Sequence, residues 1–188
     1  MTRIIAGEYG GRRLATPSGE RTRPTSDRVR EALFGSLDAA GRLAGARVLD
    51  LYAGSGAVGL EAVSRGAAYA LLVESHPATA RLIVQNITAL GAGDRVDVST
   101  ATLPQALRGD AGEPFDVVFA DPPYTVDNAG IGTVLAALTD GGWVAADADV
   151  IVERPRRAGE PPWPDGLAAV RSRRYGESIL WYGRALWT

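Results

Sequence analysis

Asp121-Pro122-Pro123-Tyr124 carries the most specific chemistry in the chain. It follows Phe115-Asp116-Val117-Val118-Phe119-Ala120, a run that reads as a buried strand, so its polar groups open at a strand end. The Asp121 carboxylate and the Pro122 carbonyl can accept both N–H bonds of an exocyclic amino group. Held that way, the nitrogen becomes pyramidal and its lone pair is freed from the ring to attack an electrophilic methyl. The carboxylate also opposes the positive charge that develops on the nitrogen, a gain of about 3 kcal/mol per well-placed group. The prolines fix the backbone so that the carbonyl points inward. Tyr124 can stack on an extracted base, worth about 1–3 kcal/mol. The chemistry is methylation of a nucleobase amine; the bland alternative is a rigid Asp-Pro-Pro turn.

A second constellation precedes it: Asp50-Leu51-Tyr52-Ala53-Gly54-Ser55-Gly56-Ala57-Val58-Gly59. Arg47-Val48-Leu49 ahead of it reads as a strand, and Ala57 to Val63 after it reads as a helix. Glycines on such a turn allow positive φ and remove the Cβ that would block a ligand. The helix then aims its first N–H groups at the occupant. Tyr52, Ala53, Gly54, Ser55 and Gly56 are therefore candidate cofactor contacts. Glu74, ending the next strand with Ser75 behind it, can accept from both hydroxyls of a ribose. The Gly-x-Gly-x-x-Gly pattern fits a dinucleotide as well. Asp50 favours S-adenosylmethionine, because a carboxylate beside the turn repels a pyrophosphate and welcomes the ammonium of an amino-acid tail.

These groups need strands that end side by side. From Arg47 the chain alternates: strand Tyr69–Val73, helix Ala78–Leu90 opened by Pro77 and closed by Gly91, strand Arg95–Thr100, and a short helix Pro104–Leu107. Strand Phe115–Ala120, helix Ile131–Leu138 and strand Asp149–Glu153 follow. Leu167–Tyr175 and Ser178–Gly183 read as a hairpin turned at Gly176-Glu177. The expected fold is α/β and Rossmann-like, with a seven-stranded, mostly parallel sheet and an antiparallel C-terminal hairpin. Ahead of it, Arg3–Ala6 and Arg12–Ala15 read as a small β-hairpin around Gly7, Gly10 and Gly11. A helix with Val29, Leu33 and Leu37 at helical spacing follows, capped by Thr25, Ser26 or Asp27. Residues 1–40 read as a basic extension and 41–188 as the catalytic domain. His76 reads as a helix-start residue and Trp163 as a packing residue.

The chain has no cysteine and one histidine, which leaves no thiolate or multi-histidine metal site; no metal is expected. Apolar residues make up 46% of it and the mean hydropathy is −0.03. No apolar run approaches the ~20 residues of a membrane span. These points favour a cytoplasmic protein. The net charge of −2 hides a segregation: +4 over residues 1–30, −10 over 31–153 and +4 over 154–188. All 20 basic residues are Arg. Arg grips phosphate with two parallel bonds and stacks on bases, so arginine-rich ends suit a nucleic acid. Arg3, Arg12, Arg13, Arg21, Arg23, Thr25 and Arg28 are the candidate RNA contacts; a merely solvated basic surface is the alternative.

On these residues the chain resembles class I S-adenosylmethionine-dependent methyltransferases. It is similar, more narrowly, to the RsmD family, which methylates N2 of guanine 966 in 16S ribosomal RNA. Three stretches carry the narrower likeness: Arg3–Gly7 with Gly11–Leu14, Arg23–Phe34, and Asp50–Gly56 running to Ser64-Arg65-Gly66-Ala67. The resemblance implies a small ribosomal subunit already assembled with proteins (the 30S particle) as substrate, and a monomeric enzyme. Family members often carry an Asp after the third strand for the adenine amino group. Here Ser99-Thr100-Ala101-Thr102 stands there, leaving adenine to Thr100, Ala101, Thr102 or backbone groups. Competing readings are a DNA adenine or cytosine amino-methyltransferase, a protein glutamine methyltransferase, an NAD-dependent oxidoreductase using the glycine turn, and a non-catalytic RNA-binding module.

Overall fold

The N-terminal hairpin forms, but its ladder is short. In the computed structural model, which describes residues 2–17 and 26–187, β1 (Thr2–Arg3) pairs antiparallel with β2 (Arg13–Leu14). Ile5 and Ala6, expected to continue the strand, send their N–H groups instead to the Glu61 carboxylate, at 2.7 and 3.1 Å. A carboxylate is a stronger acceptor than a strand carbonyl, so it ends the ladder early. Two more bonds follow: Glu8 N–H to the Ser64 carbonyl at 2.8 Å and Tyr9 N–H to Ser64 Oγ at 2.9 Å. The chain passes so close that a Cβ on Gly7, whose φ is +83°, would lie 1.9 Å from the Ser64 carbonyl oxygen. Glycine is obligatory there.

The chain divides into two compact units, Met1–Ala101 and Thr102–Thr188. In the first, α1 (Asp27–Ala39) starts on Ser26, whose hydroxyl accepts the Val29 N–H at 3.3 Å. Of the three capping candidates, Thr25 lies outside the described residues. α1 buries Val29, Leu33, Phe34 and Leu37 at helical spacing. Three parallel strands follow: β3 (Arg47–Leu51), β4 (Tyr69–Glu74) and β5 (Val96–Thr100), in the order β5-β4-β3. Val48, Leu49, Leu51, Ala70 and Leu72 are almost wholly buried, as near-continuous apolar strands require. Between them, α2 (Ala57–Ser64) is buried on all sides. Glu61, on α2, also binds Arg65 at 2.6 Å, and Arg65 reaches Asp38 of α1 at 2.7 Å. α3 (Pro77–Leu90) opens with its proline in the first turn and ends on Gly91 in the left-handed conformation, as the sequence predicts.

In the second unit a 3-10 turn at Gln105–Leu107 replaces the short helix expected at Pro104–Leu107. β6 (Phe115–Ala120) leads to α4 (Asn128–Asp140) and then to β7 (Val144–Pro155), parallel to β6. β7 begins well before the expected Asp149. Phe115 lies opposite Val144 but Val117 opposite Asp149, and Asp147 in the intervening stretch has φ 55°. Ala145-Ala146-Asp147-Ala148 lacks β-branched residues and gives no strand signal. β8 (Leu167–Tyr175) and β9 (Ser178–Ala185) form the expected hairpin on Gly176-Glu177, and β9 runs antiparallel to β7. Trp163 packs on β9: a Cβ on Gly183 would sit 2.4 Å from its ring. The seven-stranded sheet has the order β5-β4-β3-β6-β7-β9-β8, mostly parallel with an antiparallel C-terminal hairpin. No helix among the described residues is long and apolar enough to cross a membrane.

Removing the Glu61 carboxylate leaves the Ile5 and Ala6 donors without their acceptor and leaves Arg65 with Asp38 alone. Glu61→Ala should cost about 3–5 kcal/mol in urea unfolding. Glu61→Gln, which keeps one acceptor, should cost less, and hydrogen exchange at Ile5 and Ala6 should rise in the order of that loss.

Candidate active site

The glycine turn is tied down at both ends by carboxylates. After β3, Tyr52, Gly54 and Gly56 have φ of 62°, 58° and 79°. Two are glycines; Tyr52 takes this conformation as a bulky residue, which is uncommon and costs free energy. Gly56 caps α2 with no side chain to offer, and Asp50 supplies the missing acceptor: its Oδ2 takes the Gly59 N–H at 2.9 Å. Gly59 is needed for packing, since a Cβ there would lie 2.6 Å from Leu72 Cδ1. At Gly54 an added Cβ would meet nothing within 4 Å, so this side of the turn opens to space that a ligand can use.

Glu74 holds the near end of the turn. Its Oε2 accepts the Gly54 N–H at 3.0 Å and its Oε1 the His76 N–H at 2.8 Å. Each carboxylate oxygen offers about two acceptor sites, so both can still receive a hydroxyl. That suits the vicinal hydroxyls of a ribose. Thr100 lies opposite Glu74 in the β4–β5 register and is exposed, as is Ser75; Ala101 is half-buried. Ala53 binds the Val73 carbonyl through its N–H at 2.9 Å. Asp50 is buried, and burial pushes its pKa up to about 7 against the opposing Gly59 N–H bond, with nearby Glu74 adding to the rise. Two carboxylates at the turn disfavour a pyrophosphate, and a cationic amino-acid tail would answer the buried Asp50.

One residue that local sequence patterns do not reveal steadies this loop. Asn86 of α3 donates to the Ser55 carbonyl and to the Ala15 carbonyl, both at 3.0 Å, and accepts the Ala15 N–H at 2.8 Å. The available signal was a polar residue among Ile83, Ile87 and Leu90 on the buried face of a helix.

In the second unit, Asp121-Pro122-Pro123-Tyr124 opens at the carboxyl end of β6. Asp121 is half-buried and Pro122 buried, while Tyr124 is 59% exposed. The Val126 N–H closes a turn on the Pro123 carbonyl at 2.9 Å. Asp127 then caps α4, its Oδ1 accepting the Gly130 N–H at 2.8 Å. A turn and a capped helix thus fix the loop on one side and the strand fixes it on the other.

Of the proposed RNA residues, Arg21, Arg23 and Thr25 lie outside the described residues. Arg3 and Arg13 are exposed and sit directly opposite each other in the hairpin register. Like charges so placed are destabilising. Arg28 is exposed on α1. Arg12 is exposed too, but it donates to the Ala89 carbonyl in the last turn of α3. Arg30, by contrast, is wholly buried: it binds the Arg3 carbonyl at 2.8 Å and Asp27 at 2.7 Å, and desolvation lowers its pKa.

This sheet, with its glycine turn and its Asp-Pro-Pro-Tyr loop, defines the class as a Rossmann-like methyltransferase. An RNA methyltransferase from Salinibacter ruber, described in complex with S-adenosyl-L-homocysteine, shares the fold at a TM-score of 0.64 and 17% identity, over 86% of this chain and 93% of that one. Residues 2–184 match the family described as Conserved hypothetical protein 95. The Escherichia coli K12 protein named Ribosomal RNA small subunit methyltransferase D is 37% identical over 175 residues, 93% of this chain and 85% of that protein. A hypothetical protein of Thermus thermophilus superposes with a TM-score of 0.78 at 35% identity, over 97% of this chain and 98% of that one. The chain belongs to this family, the RsmD family of methyltransferases.

Asp50 gives the site a measurable pH signature. Its native pKa of about 7 stands above the ordinary 3.8. Between those values the folded state keeps a proton that the unfolded chain has released. Stability from this group is therefore full below about pH 4 and falls as pH rises towards 7. Asp50→Asn keeps an acceptor for the Gly59 N–H and lacks the titration. Urea unfolding of the two proteins across that range should show the wild type losing stability relative to Asp50→Asn as pH rises.

Proposed function

We propose that the protein is a 16S rRNA guanine-N2 methyltransferase acting at guanine 966, with S-adenosylmethionine as donor. The observation that carries this reading is the Asp121–Tyr124 turn at the carboxyl end of β6, in a chain whose Escherichia coli relative is named for the small-subunit RNA. S-adenosylmethionine supplies an electrophilic methyl on its sulfonium. Asp50 answers the ammonium of the amino-acid tail, Gly54 leaves the turn open, and Glu74 receives the ribose hydroxyls. Thr100, with Ala101 or backbone groups beside it, meets the adenine in place of the carboxylate that relatives often carry.

Asp121 and the Pro122 carbonyl accept the two N–H bonds of guanine N2, aim its lone pair and oppose its developing charge. Tyr124 stacks on the extracted base. Most of the acceleration then comes from holding the reacting atoms in line and excluding water. Arg3, Arg13 and Arg28, with Arg21 and Arg23, take backbone phosphates. The substrate is the assembled small subunit, and the enzyme works in the cytoplasm as a monomer.

The test is transfer of labelled methyl groups to small subunits that lack the modification, followed by mapping of the modified base. Asp121→Ala should lower turnover by about 100-fold or more and leave cofactor affinity, measured by calorimetry, within about 2-fold. Wild-type turnover in that variant would remove Asp121 from the chemistry. Arg3→Ala with Arg13→Ala should weaken RNA binding and reduce the slope of log affinity against log salt by about 2.

A further inference from the structure

The second unit carries a basic surface whose residues have been given no individual role. β7 ends at Pro155, which lies opposite Ser178, and Ser178 lies opposite Tyr175. The loop after β7 therefore runs beside the tip of the β8–β9 hairpin. The Arg156 N–H joins them through the Glu177 carbonyl at 2.7 Å. Arg156 and Arg157 are exposed on the loop, and Arg173 and Arg174 on the hairpin. Arg173 and Arg174 follow one another in β8 and project from opposite faces, which leaves Arg156, Arg157 and one of that pair on this side, beside Glu160, which accepts the Trp163 N–H, and Glu177, 4.0 Å from Arg174. The surface is positive and lies at the same end of the sheet as the Asp-Pro-Pro-Tyr loop, because Ala120 pairs with Val152.

Two contacts join this surface to that loop. The Arg157 guanidinium lies over the Tyr124 ring, 5.6 Å from its centroid. Asn128, in the first turn of α4, donates to the Ala158 and Glu160 carbonyls at 2.7 and 3.0 Å and accepts from Arg154 at 3.2 Å. Asn128 thus clamps the arginine loop to the helix that follows Tyr124. A guanidinium on an aromatic face is a specific attraction, and it restricts the ring of an otherwise exposed tyrosine.

We infer that the loop after β7 is a second RNA-binding surface, in which Arg157 sets the Tyr124 ring for stacking and, with Arg156, takes phosphates next to the target nucleotide. The ligand is single-stranded RNA around an extruded base, recognised by cation–phosphate contacts and stacking. The inference rests on the proposed function in taking the ligand as RNA. Arg157 acts in two ways here: on the base through Tyr124, as a positioning residue, and on a neighbouring phosphate directly.

The test uses the full-length protein and two readouts: methyl transfer to unmodified small subunits, and filter binding of an RNA stem-loop with a guanine-containing loop over a salt series. Arg157→Ala should raise KM about 10-fold with kcat within about 2-fold, and reduce the salt slope by about 1. Arg157→Lys, which keeps charge but not the planar stack, should keep the salt slope and still raise KM. Arg156→Ala with Arg157→Ala should reduce the slope by about 2. Unchanged KM and slope in the double variant, with wild-type circular dichroism, would overturn the inference, as would a loss confined to kcat. If the wild type methylates no subunit but binds RNA with an Arg157-dependent slope, the proposed reaction falls and this surface stands. If it does neither, both fall.

Discussion

Two carboxylate-to-backbone bonds set the geometry on which the first unit depends: Asp50 to the Gly59 N–H and Glu74 to the Gly54 N–H. The turn between β3 and α2 puts three residues at positive φ and places a glycine at the helix cap. Such a loop has little reason to hold one shape by itself. Asp50 replaces the side-chain cap that Gly56 lacks, and Glu74 fixes the near end while keeping acceptor capacity. The same two side chains that order the loop are those able to recognise a cationic, hydroxyl-bearing donor. Under the proposed function, structural and ligand-binding roles would fall on the same two residues.

α2 is short, yet it serves two sides. Its first turn receives Asp50; its Glu61 and Ser64 receive the N-terminal hairpin. A hairpin with two-residue strands would not be stable alone. Here it is held by backbone bonds to a buried carboxylate and a buried hydroxyl, and by the close passage at Gly7. The outward face is left to Arg3 and Arg13, which repel one another across the ladder. Inward satisfaction of the backbone and outward accumulation of charge are two faces of one small element.

Much of this was legible in the residues. The strand–helix alternation from Arg47, the proline start and glycine stop of α3, the C-terminal hairpin and its turn all follow from periodicity and turn chemistry. So do the positions of Asp50, Glu74 and Asp121 at strand ends. The misses share a cause. Ile5 and Ala6 leave the strand because a carboxylate distant in sequence competes for their N–H groups. The early part of β7 gives no signal because it is an alanine-rich irregular stretch, tied to β6 at its start by Val144 opposite Phe115. Arg30, counted in the basic charge of residues 1–30, is buried and held by the Arg3 carbonyl. Each is a long-range contact overriding a local pattern.

Asn86 joins Ala15 and Ser55 through a single amide group. The strand leaving the hairpin and the glycine turn thus lean on one strut. Ordering either end removes freedom from the other, with no change of shape required. A change that frees Ala15 from Asn86 therefore also takes a support away from the Ser55 carbonyl in the glycine turn.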